Sequence, residues 1–437
     1  MSIPAGLIPR RRVLRALSTA PLAALGLAGC LQGSEDARAL RVATPWPRSV
    51  RERFERDFAE WLGSDRKTAE ANPPAIVWIS VPEGEPLDVL LRRAARLPDV
   101  LLGGPVDEYA RLAGEGRLEG LSNEFPRPYW REIRRSTVAP ARRPARDPRL
   151  ALGDPRVDPL ARAWSLGELE RGGWSTAYAR LVESHGRANL GAGWGSASTR
   201  AAFDRGRIDE TILEFDLAEE GESARADLEI LGEPVPYVEG AAVRAGSPRA
   251  PLARELMRFL GEQWNAEAGP AVERNPSAVA DARSLAADLL GATLVDAQDE
   301  LRIATAAVRQ AGSPQWAVEL LTRVPPWPPA SVGKLLAKEG ESGLELLETL
   351  IGQIAPEAGQ RVWLTQSWLG PARPIDGEIL AEIARADGGR LAREPRFRAW
   401  LRAEWTQWAR QRYRWVARLA APGASRVDSD VTGSRGL

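Results

Sequence analysis

The chain has 437 residues, enough for two or three domains with full cores. Its 59 basic and 59 acidic residues cancel, so no global field points to nucleic acid or to an acidic partner. A single cysteine excludes an intrachain disulfide, and a single histidine argues against His-rich metal sites and His-based acid–base catalysis.

Arg10-Arg11-Arg12 precedes a mostly apolar run, Val13 to Leu27, that is too short to be a stable membrane span. Leu27-Ala28-Gly29-Cys30 follows. This segment resembles the lipobox of bacterial lipoproteins, which implies cleavage before Cys30 and lipid attachment at its sulfur. A plain secretory signal with a chance cysteine is the alternative. The basic run also resembles a twin-arginine export signal. Residues 1–30 are thus expected to be a lipoprotein signal peptide and residues 31–38 a tether. The expected location is the periplasmic face of a bacterial membrane, with the bilayer as a partner through Cys30.

Leu40-Arg41-Val42-Ala43-Thr44 alternates like a strand and ends at Pro45-Trp46-Pro47. Ser49 to Glu52 has capping-box spacing, and Val50, Phe54, Phe58, Trp61 and Leu62 follow at helical spacing. Ala75 to Val81 reads as a second strand, apolar enough to be buried on both faces. Leu87, Leu90, Leu91 and Ala94 predict a helix. Leu97-Pro98-Asp99-Val100-Leu101-Leu102-Gly103-Gly104-Pro105 then predicts a buried strand that stops at two glycines, with a helix starting after Pro105. Such alternation predicts a parallel, doubly wound sheet over residues 39–121. Ligands of such sheets sit beyond the carboxyl ends of the strands, here Thr44–Trp46, Ser80 and Gly103–Gly104. Glycines at such an edge let a ligand approach bare backbone.

Residues 122–149 hold Pro126, Pro128, Pro140, Pro144 and Pro148 among many arginines. They predict a connector with little regular structure beyond a turn near Tyr129–Ile133. It is either a solvated linker or a basic stretch that touches lipid headgroups. Leu150 to Arg156 predicts a strand that opens a second α/β unit, residues 150–279. Ala161–Leu169 and Trp174–His185 read as helices, with His185 packed or solvated near a helix end and no second metal ligand nearby. Gly191 to Thr199 is rich in glycine and hydroxyls before a helix over about 199–205. Free N–H groups there, with Ser196, Ser198 and Thr199, would cradle an anion; ordinary N-capping is the rival reading. Ile208–Phe215 predicts a returning strand, made an edge by Asp209, Glu210 and Glu214. Val238–Val243 predicts another, and Leu252, Leu256, Phe259 and Leu260 a closing helix.

Several of these phrases, in this order, resemble those of bacterial extracellular solute-binding proteins of ABC importers. They are the strand and Phe54/Phe58 helix behind a lipobox, Pro98-Asp99-Val100 to Gly103-Gly104-Pro105, Gly116-Arg117-Leu118-Glu119-Gly120-Leu121, Leu150 to Pro155, and Pro236-Tyr237-Val238-Glu239-Gly240. The resemblance covers 39–121 and 150–264 and is nearest the ferric-iron and small-anion branch. It implies a two-lobed, type 2 periplasmic-binding α/β core and no cofactor. It also implies a small-molecule or anionic ligand held by Thr44, Trp46, Gly103, Gly104, Ser196, Ser198, Thr199, Tyr237 and Glu239, and delivery to an ABC permease. Tyr237 would stack on or hydrogen-bond a ligand, or else be a half-buried hinge residue. The branch's paired tyrosines are missing near 196–199, which disfavours phenolate coordination of iron, and no strand crossing between lobes is visible in 122–149. A hydrolase is disfavoured, because no Gly-x-Ser-x-Gly occurs and His185 has no evident nucleophile partner. The second reading is a structural or interaction lipoprotein on a degenerate scaffold of this kind.

Residues 280–421 read as an all-α extension, broken at Gly312-Ser313-Pro314, Pro325-Pro326-Trp327-Pro328-Pro329 and Gly370-Pro371. Phe397, Leu401, Trp405, Trp408, Trp415 and Leu419 share one side of a long helix, as core packing or as a face for membrane or partner. Residues 422–437 read as a disordered tail.

Overall fold

The computed structural model describes residues 39–65, 75–82, 87–93, 97–121, 128–188, 195–216, 227–264, 267–268, 276–325, 374–385 and 389–421. The lipobox with Cys30, the tether, Gly191–Trp194, Pro326–Pro329, Gly370-Pro371 and the tail lie outside the described residues.

The first half follows its hydrophobic pattern. β1 (Leu40–Thr44), α1 (Arg48–Asp65), β2 (Ile76–Ser80), α2 (Leu87–Arg93), β3 (Val100–Pro105) and α3 (Val106–Gly114) alternate along the chain. β1 pairs in parallel with β2 and with β3. Phe54, Phe58 and Trp61 of α1 are buried against Phe259, with the Phe54 and Phe259 rings edge-on at 5.4 Å. β2 is not buried on both faces as its apolar run predicts. It ends the sheet order, and Val77 is 40% exposed, because a terminal strand has a neighbour on one side only.

The largest departure from expectation is β4 (Arg131–Arg142), a twelve-residue strand inside the proline- and arginine-rich stretch. It pairs antiparallel with β5 (Glu210–Asp216) on one side and with β7 (Val235–Val243) on the other. Pro140 is tolerated for a geometric reason. Its carbonyl accepts from the Leu231 N–H, and on an antiparallel strand the missing N–H would point to that same side. The ladder from β4 to β5 therefore loses nothing. The predicted strand at Leu150–Arg156 is instead irregular chain, with one bridge from Leu150 to Glu210 and a turn closed by the Val157 N–H donating to the Asp154 carbonyl.

The sheet order is β2-β1-β3-β7-β4-β5, with the short β6 (Glu229–Ile230) and β8 (Glu267–Ala268) on β4. β5 is terminal on this path, as its charges predict. β7 joins the two halves: its C-terminal residues pair with β3, and its N-terminal residues pair with β4. Helices α4 (Pro159–Gly172), α5 (Trp174–Arg187) and α6 (Ser196–Asp204) belong to the second half, and α7 (Ala250–Gln263) packs back on the first.

The described C-terminal residues are mainly helical, as expected: α8 (Pro276–Leu290), a π-helical turn at Gly291–Val295, α9 (Gln298–Gln310), α10 (Gln315–Thr322), α11 (Gly377–Arg385), α12 (Arg390–Arg393) and α13 (Pro395–Ala420). Phe397, Leu401, Trp405 and Trp408 are buried in a core that also holds Val138 of β4, Tyr178 of α5 and Val235 of β7. Trp415 departs from that stripe and is 46% exposed. No helix among the described residues is long and apolar enough to cross a membrane.

Candidate functional site

Gly103 and Gly104, the last residues of β3 before Pro105, both sit at φ +85°, a conformation that L side chains rarely adopt. A Cβ on Gly103 would lie 2.8 Å from the Trp46 Nε1, so this glycine lets the indole settle over the strand end. The indole stacks on Trp264 at 5.5 Å and donates from Nε1 to Glu239 at 3.2 Å. Thr44 shapes the turn beneath it by accepting from the Trp46 N–H at 3.1 Å. Tyr109 of α3 donates to the Gly103 carbonyl at 2.6 Å. Glu239 stands opposite Pro105 in the register of β7 and β3, and it also accepts from the Gly104 N–H.

The second half supplies the opposite wall. Asp158 caps α4, accepting from the Leu160 and Ala161 N–H groups at 2.9 and 3.0 Å, and it also accepts from the Ser196 hydroxyl. The hydroxyls of the α6 turn are used differently from the expected anion cradle. Ser198 donates to the Gly195 carbonyl at 2.8 Å, and Thr199, which is buried, donates to the Gly195 and Ser196 carbonyls.

Between these walls lies a cleft of about 310 Å³. Of the nine residues expected from the sequence, Trp46, Gly104, Ser196, Tyr237 and Glu239 line it together. Thr44, Gly103, Ser198 and Thr199 do not line it. Glu108, Arg134, Arg156, Asp158, Arg162 and Glu214 line the cleft too and were not among the expected residues. Asp158 carried a readable signal, an N-cap aspartate before Pro159. Arg134 and Glu214 carried none, since a connector arginine and an edge-strand glutamate look solvated in sequence.

Each arginine of the lining is neutralised by a carboxylate of the chain. Arg134 lies 3.0 Å from Glu214, Arg162 lies 2.9 Å from Asp107, and Arg156 lies 2.7 Å from both Asp154 and Asp296. Burial pushes the Glu239 carboxyl above its usual range, with Glu214 adding to the effect; Arg134, the Trp46 indole and the Gly104 N–H oppose it. Burial raises Glu108 as well, against the attraction of Arg162 and Arg111 and the Leu87 N–H, and with Asp107 adding to the rise. Burial, then Glu239, Glu214, Asp107 and Glu108, hold the Tyr237 phenol well above its ordinary value. Among the described residues no cluster of three or more His, Cys, Asp or Glu is arranged to hold a metal ion.

No family model matches the chain, and no curated protein matches it. Solved structures are similar to part of it. A periplasmic thiamin-binding protein is 14% identical over 51% of this chain and 77% of its own, with a TM-score of 0.40. Iron-bound HitA from Pseudomonas aeruginosa is 14% identical over 54% and 89%, at 0.39. The substrate-binding protein of an ABC transporter from Agrobacterium tumefaciens is 13% identical over 56% and 84%, at 0.41. Likeness at this level carries no conclusion about ligand or activity.

Proposed function

We propose that this chain is an extracytoplasmic solute-binding protein that captures a small molecule between two lobes and hands it to an ABC permease. The observation that supports it is the meeting of Trp46, Gly104, Ser196, Tyr237 and Glu239 on one cleft; Trp46 and Glu239, 193 residues apart, are hydrogen-bonded there. Aromatic walls with a few directed polar groups in a cavity of this size fit small-molecule capture. On this reading residues 39–121 and 150–279 are the lobes, joined through β4 of the connector and through β7 of the second lobe, which pairs with both β4 and β3. Lobe movement about those strands would signal the permease. Cys30 would carry the lipid that keeps the protein at the periplasmic face of its membrane. Its role is binding rather than catalysis.

The test is a thermal-shift panel of cationic, anionic and neutral small solutes on residues 31–437. At least one class is expected to raise the unfolding midpoint, and Trp46→Ala is expected to abolish the rise. Metabolic labelling with a palmitate analogue tests the anchor: label is expected on the wild type and not on Cys30→Ser.

A second reading, a structural or interaction lipoprotein, draws on one observation. The C-terminal helices share a core with the second half, and α8 also packs on α3 of the first. That brace would resist lobe movement. Absence of stabilisation by every solute class would favour it.

A further inference from the structure

We propose that the solute is an organic ammonium ion, held by Glu239 and Glu108 beside Tyr237 and Trp46. This rests on reading the cleft as a solute site and narrows the ligand class expected there. Four carboxylates and three guanidiniums line the cleft: Glu108, Asp158, Glu214 and Glu239 against Arg134, Arg156 and Arg162. The guanidiniums already face Glu214, Asp107, Asp154 and Asp296 at 2.7–3.0 Å. An anionic solute would have to displace a carboxylate of the chain from one of them, leaving that carboxylate poorly compensated in a confined site. Glu239 and Glu108 stand differently. Glu239 accepts from the Trp46 indole and the Gly104 N–H, and Glu108 accepts from the Leu87 N–H; neither forms an ion pair among the described residues. A cation entering the cleft supplies the missing charge.

A second observation points the same way. Tyr237 is 5% exposed and lines the cleft, and its hydroxyl has no hydrogen-bond partner among the described residues. Besides burial, the charges that raise its pKa, those of Glu239, Glu214, Asp107 and Glu108, are negative and lie on the cleft side of the sheet or on α3. That hydroxyl can accept from an ammonium N–H. Trp46 and Tyr237 add aromatic surface that favours a bulky, weakly hydrated cation. A bare divalent metal fits less well, because it needs several convergent oxygens and no such cluster is found among the described residues.

Ammonium binding favours the ionised carboxylates, whereas burial favours the protonated ones. Arg134 and Glu214 face Glu239, and Arg162, Asp107 and Arg111 face Glu108, so these charges set the balance. Affinity therefore rises with pH above the ordinary carboxylate range.

The experiment is calorimetric titration of residues 31–437 with choline and 1,4-diaminobutane. Their neutral isosteres 3,3-dimethylbutan-1-ol and 1,4-butanediol, and inorganic phosphate, are run beside them. At least one ammonium compound is expected to bind at least tenfold more tightly than its neutral isostere and tighter at pH 8 than at pH 5. Glu239→Gln and Glu108→Gln are each expected to weaken it at least tenfold and to flatten the pH profile. The unfolding midpoint of each free variant reports whether it is folded, and either variant alone suffices. Binding of phosphate or of the neutral compounds in place of the ammonium ions overturns this inference and leaves the solute-binding reading intact. Ammonium binding that survives both substitutions also overturns it. No binding by any class overturns both.

Discussion

Gly103 shows how one residue sets the site. Its φ of +85° and the 2.8 Å gap to the Trp46 indole make any side chain costly twice, in backbone strain and in displacement of the indole. Gly103→Ala is expected to lose about 1–3 kcal/mol in urea denaturation and to weaken solute binding, because Trp46 leaves Glu239. Glu239 makes the opposite trade. Its carboxyl pKa is raised in the fold, so its contribution to stability is full below the unfolded value near 4.5 and is lost as pH rises through the folded value. Glu239→Gln is thus expected to be more stable than the wild type at pH 8, with the difference gone at pH 4, while losing ligand. His185 has the reverse sign. Burial lowers it to about 4; its Nδ1 donates to the Leu181 carbonyl at 2.9 Å, and its Nε2 has no partner. Being neutral in the fold, it takes up its proton more readily when unfolded, and stability falls as pH drops from about 6.5 to about 4, by ~3 kcal/mol. His185→Gln is expected to lack that slope in acid denaturation.

Among the elements, those with clean periodicity were legible. Phe54, Phe58, Trp61 and Leu62 fall on one side of a helix and are buried. β3 is found where its apolar run predicts, but it runs on through both glycines to Pro105, with an irregularity in its pairing to β7 between Leu102 and Pro105. β4 was not legible, for two physical reasons. Its exposed and half-buried positions carry arginines typical of a linker, and Pro140 reads as a breaker unless its pairing on both sides is known. The site divides along similar lines. Trp46 and Gly104 sit at or beside strand ends, where chain order points to a cleft, and Tyr237 and Glu239 lie within β7, in the Pro236–Gly240 phrase that marked them in sequence. Ser198 and Thr199 look alike with Ser196 in sequence, yet only Ser196 reaches the cleft, because the first turn of α6 directs the other two hydroxyls to its own carbonyls. The contact of α4 with β7 offers a test at this scale. A Cβ on Gly167 would lie 2.4 Å from Val235 Cγ1. Gly167→Ala is expected to cost about 1–3 kcal/mol. Much of that loss is expected to return in the double variant with Val235→Ala, as a double-mutant cycle would measure.

For the whole molecule, the decisive feature is a core that runs from Val138 through Tyr178 and Leu289 to Trp405 and Val416. The C-terminal helices therefore complete the second half instead of hanging from it. Amides of β5 and α13 are expected to exchange hydrogen with one common opening free energy; earlier exchange throughout α13 would contradict this. Arg156 ties the same core to the cleft: it lines the cavity, reaches Asp296 beyond the π-helical turn, and lies where a side chain at Gly291 would be. We propose that Trp46, Gly104, Ser196, Tyr237 and Glu239 form one solute site. The most direct test is hydrogen-exchange footprinting with a saturating concentration of the small solute that most raises the unfolding midpoint. Protection is expected together in the segments around 44–46, 103–109, 156–162 and 236–240. Protection confined to one half of the sheet, or its persistence unchanged in Trp46→Ala, would contradict the account.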